Sequence, residues 1–228
     1  PPRSTLFPYT TLFRSRDDLY YFAQELDDEW VNYKDQNYGE WEIMNGKGYL
    51  YASKTTTTLT FVGTPNTDGT VELDTYHAEA NWAGWNLIGN PLADTAYIVR
   101  PFYTVDRETG LLMEQTEGTP IEAMEGVFVN ADETETTIEF STEAPAKSGS
   151  LAINLTQGRA FVDRAIVSFG EGRQLPKFQL NENNTKVFFK QDNKDYAVIN
   201  AEGMGDMPVS FKAEKNGSFT MNVTSDEV

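Results

Sequence analysis

Cysteine is absent from the 228 residues, which excludes disulfide staples, thiolate nucleophiles and every cysteine-bearing metal site. Histidine occurs once, as His77, so a cluster of histidine ligands of the kind zinc usually takes is excluded as well. A catalytic triad would have to pass through His77, yet no Gly-x-Ser-x-Gly elbow accompanies it. The string Thr75-Tyr76-His77-Ala78-Glu79 reads instead as an exposed loop or strand end. Basic residues are scarce, 18 Lys and Arg against 35 Asp and Glu, for a net charge of −17. Such a field repels phosphate backbones and anionic lipid, so nucleic acid is disfavoured as a partner. No apolar run approaches the ~18 residues of a membrane-spanning helix.

What is present is a core. Apolar residues make up 39% of the chain and aromatics 13%, enough to pack a folded interior. The apolar residues sit in short β-forming runs with turn residues between them, and no stretch sustains a helical period. Leu19-Tyr20-Tyr21-Phe22 and Trp30-Val31-Asn32-Tyr33 flank an acidic turn and predict a hairpin. Asn45-Gly46 predicts a second hairpin between runs at Trp41–Met44 and Tyr49–Ala52. Further strands are expected at Thr57–Val62, Val71–Asp74, Ala96–Val99, Pro101–Val105 and Leu111–Met113. Gly126–Val129 and Thr136–Phe140 complete that half, and the Pro- and Gly-bearing run Glu143–Ser150 reads as a linker. Beyond it, strands are expected at Leu151–Leu155, Arg164–Phe169, Val187–Phe189, Tyr196–Ile199, Met207–Phe211 and Ser218–Val223. The fold class is therefore all-β, two antiparallel β-sandwich modules in tandem. At the centre lies Gly84-Trp85-Asn86-Leu87-Ile88-Gly89-Asn90-Pro91-Leu92, a buried strand with Trp85 in the core. Its end is read as a turn made by Gly89, Asn90 and Pro91.

Residues Thr5–Ser15 read TLFPYTTLFRS, which resembles the translation of a sequencing-library adapter. Residues 1–15 are set aside on that ground, the first module is read as 16–146 and the second, Ig-like, as 147–228. Several further segments stand out in the first half: Gly46-Lys47-Gly48-Tyr49-Leu50-Tyr51-Ala52, Leu59-Thr60-Phe61, Gly84–Pro91 and Ile121–Val129. In the second half they are Asp163-Arg164-Ala165, Lys177-Phe178-Gln179-Leu180, Lys194–Val198, Met207–Ala213 and Asn216–Thr220. Together these segments resemble a module pair of surface and secreted proteins of gut and oral Bacteroidota. The resemblance implies export, a position C-terminal to leucine-rich repeats, adhesin regions or protease domains, and a continuation that would leave the second sandwich incomplete here. Asp94-Thr95-Ala96 resembles the O-glycosylation motif of the same bacterial group, which makes Thr95 the candidate modification site.

For ligands, the candidates are aromatic: Trp82, Tyr38, Trp30 and Trp41 would stack on sugar rings if exposed, and fill a sandwich core if not. Carboxylates are too numerous for their spacing to identify a hydrolase pair. Asp192-Asn193-Lys194-Asp195 offers oxygen ligands to calcium but lacks the Asp-x-Asp-x-Asp-Gly spacing, so no cofactor or metal residue is assigned. The expectation is a non-catalytic cell-surface or secreted region serving as stalk or adhesin-type module of a longer polypeptide. Its partners would be host or cell-surface glycans or proteins, besides the rest of its own chain. The alternative is an accessory carbohydrate- or peptide-binding, or secretion-sorting, region of an exported hydrolase.

Overall fold

The computed structural model of the chain describes residues 17–35, 37, 42–56, 58–106, 109–178, 184–201 and 205–226. Residues 1–15, Tyr38 and Trp41 lie outside these. The protein is all-β. In chain order the first strands are β1 (Asp17–Phe22), β2 (Trp30–Asn32), β3 (Leu50–Ser53), β4 (Thr70–Asp74), β5 (Trp85–Gly89) and β6 (Phe102–Val105). Next come β7 (Leu112–Gln115), β8 (Gly126–Asn130), β9 (Thr137–Ser141), β10 (Ser150–Gln157) and β11 (Ala160–Phe169). The last are β12 (Leu175–Pro176), β13 (Lys186–Gln191), β14 (Lys194–Ala201), β15 (Val209–Lys212) and β16 (Thr220–Asp226). They fall into two compact units. The first draws on the chain up to Ile98, the segment ending at Leu111, and Pro120–Ala144; the second draws on Val99–Asp106, Leu112–Thr119 and the chain from Pro145 onward.

In the first unit, β1 pairs antiparallel with β2, Phe22 opposite Trp30, as the aromatic runs around the acidic turn require. On its other side β1 pairs with β3, Tyr20 opposite Leu50. β5 pairs with β8, and β4 with β9, placing Val71 opposite Phe140 and Leu73 opposite Ile138. In β8 Val127, Phe128 and Val129 are all buried, the continuous apolar run of a strand covered on both faces. Trp85 is 7% exposed, a core residue. Buried Gln24 supplies the polar pin of this unit. Its Nε2 donates to Tyr76 O at 2.9 Å and Trp85 O at 3.2 Å, while its Oε1 accepts from Ala78 N and Gly84 N, each at 2.8 Å. One side chain thus satisfies four backbone groups around the entry to β5.

Three elements of this unit differ from the sequence expectation. The Asn45-Gly46 turn forms, with Gly46 at φ 76°, but it joins no hairpin: Gly48 N donates to Leu87 O and Gly89 N to Gly46 O, so the segment bridges to β5 instead. Residues 58–62 make no strand, and Leu59, Phe61 and Val62 are exposed. A run of threonines and apolar residues makes a strand only when another strand pairs with it, and among the described residues none does. Ala96 and Tyr97 contribute single bridges, to Ile121 and Ser141, in place of a full strand.

In the second unit β15, β13, β14, β11, β10 and β16 lie side by side in that order, with β12 also on β14. All these pairs are antiparallel except β11 with β14, which run parallel, Val167 opposite Ile199. That corrects the purely antiparallel expectation; alternation within each strand carries no information about the direction of its neighbour. One cluster fills the interior: Ile153, Leu155, Ala165, Val167, Val187, Phe189 and Ile199. At the sheet margins the register sets Met221 and Val223 of β16 beside Leu155 and Ile153, and Phe211 and Val209 of β15 beside Val187 and Phe189. These four margin side chains are exposed, and Phe211 meets Phe219 with ring centroids 5.4 Å apart. β6 and β7 pair antiparallel, Phe102 opposite Gln115.

Candidate functional site

The segments that drew attention in the sequence converge on one face of the first unit. Gly46–Gly48 lies against the end of β5 through the two bonds already named, 3.0 and 2.9 Å long. Beyond β5 the chain is turned by Asn90 rather than by Gly89, which keeps strand geometry within its pairing to Gly126. Asn90 Nδ2 donates to Asp94 O and Ile121 O, each at 2.9 Å, and to Glu122 O at 3.2 Å. Its Oδ1 accepts from Leu92 N at 2.9 Å, an Asx-turn, and its own N donates to Glu125 O. Ala93 N in turn donates to Asn66 O. The result is a groove of about 720 Å³ lined by Gly46–Gly48, Gly89–Ala93, residues 59 and 61–66, and the turn carrying Met124.

Apolar side chains dominate this groove. Ile43, Met44, Leu59, Phe61, Val62 and Met124 all line it, and all are exposed, Val62 at 97% and Met124 at 70%. Large apolar groups gathered at one exposed site are the mark of an interaction surface, and the thioethers of Met44 and Met124 adapt readily to a ligand's shape. Met124 also holds φ 64°, a left-handed conformation uncommon for a side chain of its size and of the sort found at binding sites. Lys47 borders the same groove with its Nζ 4.1 Å from the Tyr21 ring centroid. Burial lowers its pKa, and Glu25 opposes that shift.

The aromatic candidates are placed differently. Trp30 and Trp82 are half-buried, each edge-on to Phe22, with ring centroids 5.4 and 6.3 Å away, and Trp30 also meets Phe128 at 5.9 Å. They belong to one T-shaped aromatic cluster, the geometry that ring quadrupoles favour. His77 is half-buried beside Gly84. Thr95 Oγ1 donates to Glu122 Oε2 at 3.1 Å. Of Asp192–Asp195, Asp192 and Asn193 form the two-residue turn between β13 and β14, Lys194 and Asp195 begin β14, and Asp195 is held by Lys186 at 2.9 Å. Among the described residues, no three acidic or histidine side chains gather as a cation site would require.

A second cluster, unforeseen as such, lies inside the second unit. Lys177 Nζ donates to Glu114 Oε1 and Asp163 Oδ1, both at 2.7 Å, and to Arg164 O at 2.8 Å. Arg164 Nη2 donates to Glu114 O, and its Nε stands 3.7 Å from Glu114 Oε2. Burial pushes the Glu114 carboxyl up while the Lys177 ammonium pulls it back. For Lys177, burial opposes the charge, and Glu114 with Asp163 outweighs it, leaving the ammonium above its ordinary pKa. Tyr103, fully buried, donates to Pro176 O and accepts from Phe178 N at 3.2 Å, and burial raises its phenol well above the usual value. Asp163 and Lys177 both stand in segments that carried the family resemblance, but only the fold puts Glu114 between them. No protein-family model, curated protein or solved structure matches the chain.

Proposed function

We propose that this chain is a non-catalytic β-sandwich region of a longer cell-surface or secreted protein, a stalk or adhesin-type module. Its groove in the first unit holds an extended polypeptide segment with apolar side chains. The observation that carries the reading is the gathering of Ile43, Met44, Phe61, Val62 and Met124, exposed, around a groove whose backbone is fixed by Asn90 and Gly46–Gly48. The resemblance of those same segments to Bacteroidota surface modules supports the cellular setting, as does the acidic surface. A rigid backbone scaffold with adaptable apolar contacts suits a peptide ligand, for which anchoring side chains provide most of the affinity.

Panning a random dodecapeptide library on the protein tests this. Enrichment of peptides with alternating apolar residues is expected, and Phe61→Lys/Met124→Lys, which leaves the buried core intact, is expected to abolish it. Absence of enrichment, or equal enrichment on the variant, overturns the peptide reading. A glycan array run in parallel separates the alternative: clear sugar binding lost in Trp82→Ala would move the function to an accessory carbohydrate-binding region.

A further inference from the structure

The second unit buries an amine against a carboxylate and sets a second acid beside both. The side chains of Lys177 and Glu114 are 2% and 1% exposed, and that of Asp163 is 14% exposed. We propose that Lys177 Nζ and the side-chain carboxyl of Asp163 condense into an intramolecular isopeptide bond, with Glu114 carrying the protons, so that β11 is covalently tied to the segment following β12.

The reacting groups are held from both sides. Lys177 N donates to Asp195 O at 2.7 Å, and the flanking Pro176 and Phe178 are both bonded to the Tyr103 hydroxyl. Asp163 lies within β11, opposite Leu155, and its Oδ2 accepts from Val187 N at 2.8 Å. Oδ1 is therefore the oxygen presented to Lys177, and the Val187 N–H is aimed at the oxygen that stays behind. Fixed proximity of this kind replaces the entropy of a bimolecular encounter, and a preset N–H donor stabilises charge developing on Oδ2.

The step balances without any co-reactant. The ammonium gives one proton to Glu114 along their 2.7 Å contact. The resulting amine attacks Asp163 Cγ, forming the C–N bond, and Glu114 returns that proton to Oδ1. A second proton leaves nitrogen by the same route as the Cγ–Oδ1 bond breaks. One ammonium and one carboxylate become one neutral amide and one water, Glu114 ends as it began, and nothing is oxidised or reduced. Burial raises the Glu114 carboxyl, which favours its protonated form in this step, while Glu114 and Asp163 hold the Lys177 ammonium above its ordinary value. The driving force is electrostatic, since two charges costly to keep from water become an amide.

Intact-mass spectrometry of the folded full chain decides the matter. The expected mass is about 18 Da below that of the sequence, one water, with the nucleophilic lysine amine consumed. Peptide mapping is expected to join the peptides holding Asp163 and Lys177. Glu114→Gln is expected to show the full mass with an unchanged circular dichroism spectrum. Lys177→Arg, which keeps the charge but cannot form this bond, provides the same reading should Glu114→Gln not fold. A folded wild-type chain at full sequence mass overturns the proposal. So does a loss of water mapped to a succinimide at Asp68-Gly69 or elsewhere, and a loss that persists in a folded Glu114→Gln chain overturns the part given to Glu114.

Discussion

Gly84 shows how a single position can be more constrained than its neighbours in the sequence suggest. It sits at φ 77°, and an added Cβ would stand 2.2 Å from Ala131 O. That oxygen belongs to backbone and cannot rotate aside. Gly84 N donates to Gln24 and Gly84 O accepts from Ala131 N at 2.7 Å, so the segment is fixed at both ends. Gly84→Ala is accordingly expected to destabilise the first unit by about 2–4 kcal/mol, from backbone strain and overpacking together. Urea unfolding followed by tryptophan fluorescence measures it. Gly89→Ala is the control, because Gly89 has ordinary backbone angles and its nearest neighbour is 3.4 Å from the added carbon. The sequence pointed to this stretch and to a buried Trp85, and read its end as a turn made by Gly89, Asn90 and Pro91; of these Asn90 holds the turn while Gly89 stays paired with Gly126. Any Gly is locally permissive, and which one takes the left-handed angle depends on what lies across from it.

The strands that were legible were those whose pattern and turn agreed. The β1–β2 hairpin, β3 to β11 and β13 to β16 all stand within a few residues of their expected places, since each has β-formers in alternation or in a covered run. The turn between β13 and β14 lies in a segment read only as a loop of oxygen ligands: Asp192 and Asn193 have φ 47° and 67°, the two left-handed residues of a type I′ hairpin. Asn193→Val is expected to cost about 1–2 kcal/mol, the penalty of a β-branched residue in that conformation, whereas Asn193→Gly leaves stability nearly unchanged. The midpoint of urea unfolding of the second unit checks both. Residues 58–62 mark where this logic stops. Their composition is as strand-like as that of β9, but among the described residues no strand pairs with them, and Leu59, Phe61 and Val62 line a groove instead.

For the molecule as a whole, acidic residues outnumber basic ones 35 to 18 for a net charge of −17, and mutual repulsion of the carboxylates works against folding. Raising sodium chloride from about 10 to about 500 mM shortens the screening length several-fold and is expected to stabilise the protein. A gain on the order of 1 kcal/mol corresponds to roughly 2–4 °C in the thermal midpoint for a chain of this length. A fall in the midpoint with salt would mean that attractive ion pairs outweigh the repulsion. The charged cluster around Lys177 is shielded from added salt by its burial.

The sequence by itself determined the class of the protein: an all-β chain, acidic, without cysteine, with a tryptophan strand at its heart. Those properties follow from local pattern and composition, which act wherever the residues fall. Strand partners beyond the β1–β2 hairpin, the parallel pairing of β11 with β14, the groove and the meeting of Glu114, Asp163 and Lys177 were decided only by the tertiary structure. Glu114 and Asp163 stand 63 and 14 positions from Lys177, brought together by burial and register that no local pattern encodes.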